Sequence, residues 1–307
     1  MSSFQAKIDK SINIIQRAAT IATKANKPLI VAFSGGKDSQ VLYHLAQAAQ
    51  VEFTAVYNAT TIDPPEVVRF IRTTYPNVQI NCPEISFWDL CKKKRMLPSQ
   101  GFRFCCNYLK ESRGRNNVTL TGVRREESAR RAKRGEVNGK KKGEGITIDE
   151  FERQNKMDVQ CFGKGQEKIT INPILEWTEH DVWHYLNEVL KVPHCKLYDQ
   201  GHRRVGCLFC PMKDSKQILR DCNEYPHQFM RLMSTICYIV SNHKERHFLT
   251  DPISYFKWWI SRQSIAKFKT NESLTLPFSN INDIEEVIDF SPWRQDNNPK
   301  ENDTPKE

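Results

Sequence analysis

Residues 34–39 read Ser-Gly-Gly-Lys-Asp-Ser, directly after a short apolar run and directly before a segment with helical spacing. Glycine at 35 and 36 lets backbone amides come close to a ligand, and amides at the start of a helix point toward any anion placed there. Lys37 adds a point charge, and the hydroxyls of Ser34 and Ser39 add hydrogen-bond donors. The chemistry such a turn supports is the cradling of phosphate oxygens. Its spacing is not the GxxxxGKS/T of common nucleoside triphosphatases. A strand-to-helix turn with glycines for geometry alone is the plainer alternative, and it leaves two hydroxyls, a lysine and an aspartate at one turn unexplained.

Arg124, Arg125, Arg130 and Arg131 crowd a second turn. Guanidinium groups so placed clamp phosphate or sulfate bidentately. The alternative is a solvated charged helix paired internally through Glu126 and Glu127.

Cysteine supplies a third chemistry. Cys105 and Cys106 are adjacent in RFCCNYLK, and Cys207 and Cys210 form a C-x-x-C flanked by Gly206 and Pro211. Four thiolates suit either a zinc ion or an iron–sulfur cluster. Adjacent cysteines diverge and fit one small tetrahedral ion poorly, whereas a cubane offers each thiolate its own iron, so [4Fe-4S] is favoured with zinc as the alternative. Cys82, Cys91, Cys161, Cys195, Cys222 and Cys237 show no such pattern and read as packing residues.

These groups need a scaffold. Residues 5–24 carry Ile8, Ile12, Ile15 and Ala19 at helical spacing. Leu29–Phe33 reads as a buried strand, 38–49 as a helix, Phe53–Tyr57 as a strand, Pro64 and Pro65 as the first turn of a helix to about Thr74, and Val78–Ile80 as a strand. Val118–Val123 and Ile169–Ile174 complete the strand set, and Thr178-Glu179-His180-Asp181 is a capping-box pattern opening a helix to about Leu190. Alternating strands and helices with short connections predict an α/β, Rossmann-like parallel sheet. The expected organisation is a nucleotide-binding domain over 1–212, with an insertion at about 133–168 holding a short helix near 148–154. A helical C-terminal portion over 213–293 and a disordered tail over 294–307 follow.

The chain has 307 residues, 39% of them apolar and 27% charged, which excludes collagen-like and globally disordered classes. The net charge of +10 is uneven, for residues 91–142 hold 17 Lys and Arg against 4 Asp and Glu. Such a stretch attracts phosphates of a nucleotide or a nucleic acid, unless it is only a solvated loop. Lys92, Lys93, Lys94 and Arg95 form one run and Lys140, Lys141 and Lys142 another. No apolar stretch reaches the length of a membrane span, and the first helical segment carries Lys7, Asp9 and Lys10 where a signal peptide needs an apolar core. A cytoplasmic protein with no membrane partner is expected, whose ten cysteines serve metal or thiol chemistry rather than disulfides.

The hexapeptide 34–39 resembles the pyrophosphate loop of the adenine nucleotide α-hydrolase superfamily. The Cys-Cys pair with a distant C-x-x-C, TGVRREESAR at 121–130, and NPILEWTEHDVWHYL with LYDQGHRRVGCLFCP within 172–211 together resemble the iron–sulfur branch of the phosphoadenosine phosphosulfate (PAPS) and adenosine phosphosulfate (APS) reductase family. The resemblance implies the adenine nucleotide α-hydrolase fold. It also implies adenine-nucleotide contacts by Ser34, Gly35, Gly36, Lys37, Asp38 and Ser39, by Gly122, Arg124, Arg125, Ser128 and Arg131, and, through the loop TTIDPPE, by Thr61 and Asp63. Cys105, Cys106, Cys207 and Cys210 would be its cluster ligands.

Reductases of this family attack sulfur with a cysteine in a C-terminal ECGLH-like segment, and no cysteine follows Cys237 here. The resemblance therefore implies an ATP pyrophosphatase that forms AMP and pyrophosphate and activates a substrate for sulfur transfer. It is nearest in type to the sulfur-inserting component of DNA phosphorothioation systems. Lys37, Asp38 and Arg124 would carry the catalysis with Mg²⁺, DNA or RNA would be the substrate, and a cysteine desulfurase a partner. A PAPS or APS reductase and a non-catalytic nucleotide- or redox-sensing regulator remain the alternatives.

Overall fold

The computed structural model describes residues 3–111, 116–138, 145–154, 169–243, 249–270, 288 and 290. Lys140, Lys141, Lys142, Cys161, most of the expected insertion and the expected tail lie outside them. Two compact units divide the chain, the first made of residues 1–83 and 108–206, the second of 84–107 and 207–307. The first unit ends at 206, and 84–107 goes with the C-terminal helices.

In the first unit, seven strands form one sheet: β1 (Leu29–Ala32), β2 (Thr54–Asn58), β3 (Gln79–Asn81), β4 (Val118–Leu120), β5 (Val137–Asn138), β6 (Gly145–Ile146) and β7 (Ile169–Ile171). Their order is β3-β2-β1-β4-β7-β5-β6. The first five of that order run parallel, with Ile30 opposite both Thr54 and Thr119. This is the Rossmann-like α/β sheet expected from the alternation of elements. At one edge it departs from the all-parallel expectation, because β5 pairs antiparallel with both β7 and β6.

Leu29, Val31, Val118, Leu120, Ile169 and Ile171 alternate along the central strands and are all buried, while Ile30, Ala32 and Thr170 between them are half-buried and Thr119 is a buried polar residue. Helix α1 (Ser3–Lys24) packs on β1 and β4, and α2 (Lys37–Ala48) packs on β1 and on α1. α1 buries Ile8 and Ile15 of the expected stripe, but its inward face is completed by Ile14, Ala18 and Ile21, and the expected Ile12 and Ala19 are only half-buried at its margin. From β1 the chain moves outward through β2, α3 (Pro65–Thr74) and β3, then returns across β1 to β4. The order therefore reverses between β1 and β4, and in such sheets ligands settle beyond the carboxyl ends of the strands at that point.

The second unit is helical. Its main helices are Phe87–Lys94, Ser215–Glu224, Pro226–Asn242 and Pro252–Ser261. Phe229, Phe256 and Phe290 build an aromatic core, with ring centroids 5.5 Å apart for Phe229–Phe256 and 5.9 Å for Phe256–Phe290. Residues 84–107 belong here for a physical reason: the Leu97 amide donates to the Tyr255 hydroxyl at 3.2 Å, and Trp259 Nε1 donates to the Pro98 carbonyl at 2.7 Å. Among the described residues no helix is long and apolar enough to cross a membrane.

Candidate nucleotide site and thiol cluster

The loop after β1 and the loop after β4 leave the sheet on either side of the reversal point, and the structure brings their side chains together. Gly35 takes a left-handed backbone (φ +72°), and a Cβ there would lie 3.1 Å from Val67 and Ile71 of α3. Gly36 is the N-cap of α2 and supplies no side chain to cap it. Ser39 is spent inside the loop: its hydroxyl donates to the Gly36 carbonyl at 2.8 Å and accepts from the Ser34 amide at 3.1 Å. The Ser34 and Ser39 hydroxyls are 3.2 Å apart.

Asp38, one residue into α2, accepts from Arg124 Nε at 2.6 Å. Gly122 makes that approach feasible, since a Cβ on it would stand 2.9 Å from the Asp38 carbonyl oxygen. Arg124 is buried, and its Nη1 also reaches Glu126 at 2.8 Å. Arg131 pairs with Glu127. Burial, followed by the nearby cations Arg204, Arg134 and Arg124, pushes the Arg131 pKa down to about 10, with Asp38 acting in the opposite direction.

The arginine turn is thus neither a free clamp nor a solvated helix. Its carboxylates bind it into shape, yet Arg131 remains crowded by like charge. Arg125 is exposed and pairs with Glu176 at 3.0 Å, Arg130 is exposed, and Ser128 caps the short helix Ala129–Ala132 by accepting from the Arg131 amide.

Lys37 is 4% exposed and does not project as an open charge. Its Nζ donates to the Arg203 carbonyl at 3.2 Å, lies 3.4 Å from Glu179, and stands over the rings of Tyr198 (5.4 Å) and Trp183 (6.0 Å). Its amide donates to the Tyr198 hydroxyl at 2.9 Å. Glu179 and Trp183 are placed by the helix Glu179–His184, whose capping box between Thr178 and Asp181 forms as its sequence predicts. Thr61 and Asp63 lie in the loop after β2, where Asp63 accepts from the Thr60 amide at 2.7 Å and Thr61 adopts φ +63°. They share the carboxyl edge of the sheet but shape their own loop.

Sequence reasoning singled out neither Tyr198, Arg204 nor Arg134. The signal was present for one of them: Arg203-Arg204 stands beside Gly201 and Gly206 in the LYDQGHRRVG string, a second arginine pair in a glycine-bearing turn.

In the second unit Cys105, Cys106, Cys207 and Cys210 are unpaired by disulfides and half-buried. The Cys105 thiol is pushed up by a hydrogen bond with Cys106, by burial, and by the charges that Cys106, Cys207 and Cys210 would carry. Four thiols from two distant segments therefore act on one another. Among the described residues no set of three or more His, Cys, Asp or Glu side chains is arranged to hold a single metal ion. Four cysteine thiols are donors of the kind that an iron–sulfur cluster or a zinc ion takes.

Asp221, which sequence reasoning also missed, fixes the C-x-x-C turn. It accepts from the Phe209 amide at 2.8 Å, Phe209 has φ +47°, and Lys213 Nζ lies 2.7 Å from both Asp221 oxygens.

An uncharacterized protein of Methanocaldococcus jannaschii is 25% identical over 232 residues, covering 74% of this chain and 52% of that protein. The chain thus spans about half the length of that relative. The adenosine 5'-phosphosulfate reductase of Oceanobacillus iheyensis is 22% identical over 198 residues, 59% of this chain and 70% of the reductase. The crystal structure of phosphoadenylyl-sulfate reductase from Candida auris, a phosphate complex, superposes with a TM-score of 0.41 at 18% identity, over 64% of this chain and 89% of that one. The model of the phosphoadenosine phosphosulfate reductase domain matches residues 28–213, more than half of the chain. Because that match runs through the phosphate loop, the arginine turn and both cysteine pairs, the chain belongs to the phosphoadenosine phosphosulfate reductase domain family.

Proposed function

We propose that the protein is an ATP pyrophosphatase of this family. It binds ATP beyond β1 and β4, transfers adenylate to a substrate oxygen with release of pyrophosphate, and so prepares that oxygen for replacement by sulfur. The observation that carries the proposal is the 2.6 Å contact of Arg124 Nε with Asp38, which sets the arginine turn against the phosphate loop. Cations placed beside a phosphate loop are matched to the charge of a departing pyrophosphate. Lys37, Asp38 and Arg124 are the catalytic residues of this reading. Ser34, Gly35, Gly36, Ser39, Thr61, Asp63, Gly122, Arg125, Ser128 and Arg131 shape or line the nucleotide site. Asp38 would hold Mg²⁺ through the oxygen that Arg124 Nε leaves, and the ion would neutralise phosphate charge there.

Cys105, Cys106, Cys207 and Cys210 would hold a [4Fe-4S] cluster, or zinc in the alternative, and a cluster would supply electron or sulfur transfer. For the sulfur acceptor we propose nucleic acid, as in DNA phosphorothioation, with a cysteine desulfurase as sulfur source. Support comes from the 17 basic against 4 acidic residues over 91–142.

A sulfonucleotide reductase is the second reading, favoured by the similarity to the Oceanobacillus iheyensis enzyme. It needs a nucleophilic thiolate. Cys222 is buried with its pKa well raised, and burial pushes Cys237 up to about 11, so both are protonated thiols at neutral pH. A regulator that binds nucleotide without turnover is the third. Incubating anaerobic protein with ATP and with PAPS separates them: AMP with pyrophosphate marks the first, sulfite the second, and no product the third.

A further inference from the structure

We infer that Tyr198 is the donor through which the phosphate loop contacts its anion, the pyrophosphate portion of the nucleotide. This rests on the phosphate-site reading above and names the group that the loop presents. α2 begins at Lys37, and Gly36 offers no side-chain cap. The first amide of the helix, ordinarily open to a bound phosphate, is 2.9 Å from the phenolic oxygen of Tyr198.

A phenol oxygen both accepts and donates. Here it accepts from Lys37, and among the described residues nothing accepts its own proton. The hydroxyl therefore keeps one donor to offer beside the helix terminus and Gly36. Accepting from a helix N-terminus polarises the O–H and strengthens it as a donor. Burial pushes the phenol pKa upward, so the proton stays in place through neutral pH.

Tyr198 is also fixed in position. Its amide donates to the Cys195 carbonyl at 3.0 Å, and its carbonyl accepts from the Gly201 amide at 3.0 Å. Its ring meets Trp183 edge-on at 5.0 Å, and the Lys37 ammonium lies over its face. The same strand of chain brings the Arg203 carbonyl to the Lys37 ammonium and the Val205 carbonyl to within 4.0 Å of where a Gly36 Cβ would be. A donor held this firmly needs no reorganisation when an anion arrives. The competing role is a plug that phosphate must displace before reaching the Lys37 amide, and the two roles predict opposite changes on losing the hydroxyl.

The test is calorimetric titration of the full chain and of Tyr198→Phe with inorganic pyrophosphate, ATP and adenosine. The variant keeps the ring, and a melting curve checks its fold. Loss of one hydrogen bond to a charged group should raise the Kd for pyrophosphate and ATP by roughly ten- to a hundredfold and leave adenosine unchanged. Equal or tighter pyrophosphate binding by Tyr198→Phe overturns the proposal in favour of the plug while the phosphate site stands. A parallel loss for adenosine overturns it in favour of a purely structural role. If the wild-type chain binds neither ATP nor pyrophosphate, the phosphate-site reading falls and this inference with it. Should Tyr198→Phe not fold, 3-fluorotyrosine at 198 keeps the oxygen with a more acidic proton. It should tighten pyrophosphate binding, and unchanged or weaker binding contradicts the proposal.

Discussion

Arg124 Nε lies 2.6 Å from Asp38 Oδ1, joining the loop after β4 to the first turn of α2 across the point where the strand order reverses. The arginine is 5% exposed at its side chain and the aspartate 21%, so each would be left without its main partner in a mostly dry setting. Arg124→Ala should therefore cost about 3 kcal/mol of folding stability and abolish nucleotide binding. Urea denaturation of both proteins measures it. A variant as stable as the wild type would mean that the pair does not hold the two loops together.

Gly122→Ala tests the same junction without touching charge. The added Cβ would meet the Asp38 backbone at 2.9–3.0 Å, which cannot yield as a flexible side-chain tip can. We expect a loss of about 1–3 kcal/mol and a weakened ATP affinity. An unchanged melting temperature with unchanged affinity would show that the approach is not needed.

Most of what positions this site was legible in the sequence. Leu29–Ala32 is a short apolar run closed by Ser-Gly-Gly, Thr178 and Asp181 carry the capping box that forms, and the helix Ile148–Gln154 stands where a helix was expected. β5 and β6 were not legible, because two-residue strands have no period to read, and Gly135 and Gly145 reveal their close approach only once folded. Val118–Val123 was expected as one strand but ends at Leu120: the Thr121 amide still bonds β7 at the Ile171 carbonyl, and beyond it the chain turns into the site, where the Arg125 amide bonds the Leu175 carbonyl. Tyr198 lies 161 residues beyond Lys37, and no local pattern announces a contact at that separation. Segment 84–107 joins the second unit through Tyr255 and Trp259, again by long-range contact.

Crowding of cations gives a trade between stability and binding. Arg204 contributes to lowering the Arg131 pKa, so Arg204→Gln should raise the stability of the ligand-free protein by up to about 1 kcal/mol while weakening pyrophosphate binding. Thermal melts with and without pyrophosphate read both effects. A variant that loses stability and keeps its affinity would count against the repulsion described here.

Iron content tests the thiol cluster. Protein purified without oxygen should contain about four irons per chain. Cys207→Ser should lose the iron, and Asp221→Ala should lose much of it because the Phe209 turn and Lys213 are released. The raised Cys105 pKa keeps that thiol protonated at neutral pH without metal, so binding expels a proton and iron retention should fall as pH is lowered. Full iron in Cys207→Ser, or stoichiometric zinc with no iron, would overturn the cluster.

Nucleic-acid binding, if the basic span serves it, should weaken with salt at a slope of roughly 0.9 per neutralised phosphate on duplex DNA. Replacing Lys140, Lys141 and Lys142 with Ser should lower that slope and leave ATP affinity unchanged. Failure of both DNA and RNA to bind at low salt would remove nucleic acid as the sulfur acceptor.

The most direct test of the account is the fate of ATP. Anaerobic protein with Mg²⁺ and ATP should yield AMP and pyrophosphate in equal amounts, resolved by phosphorus NMR, and Arg124→Ala should yield neither. Release of ADP and phosphate, or sulfite from PAPS with ATP untouched, would contradict it.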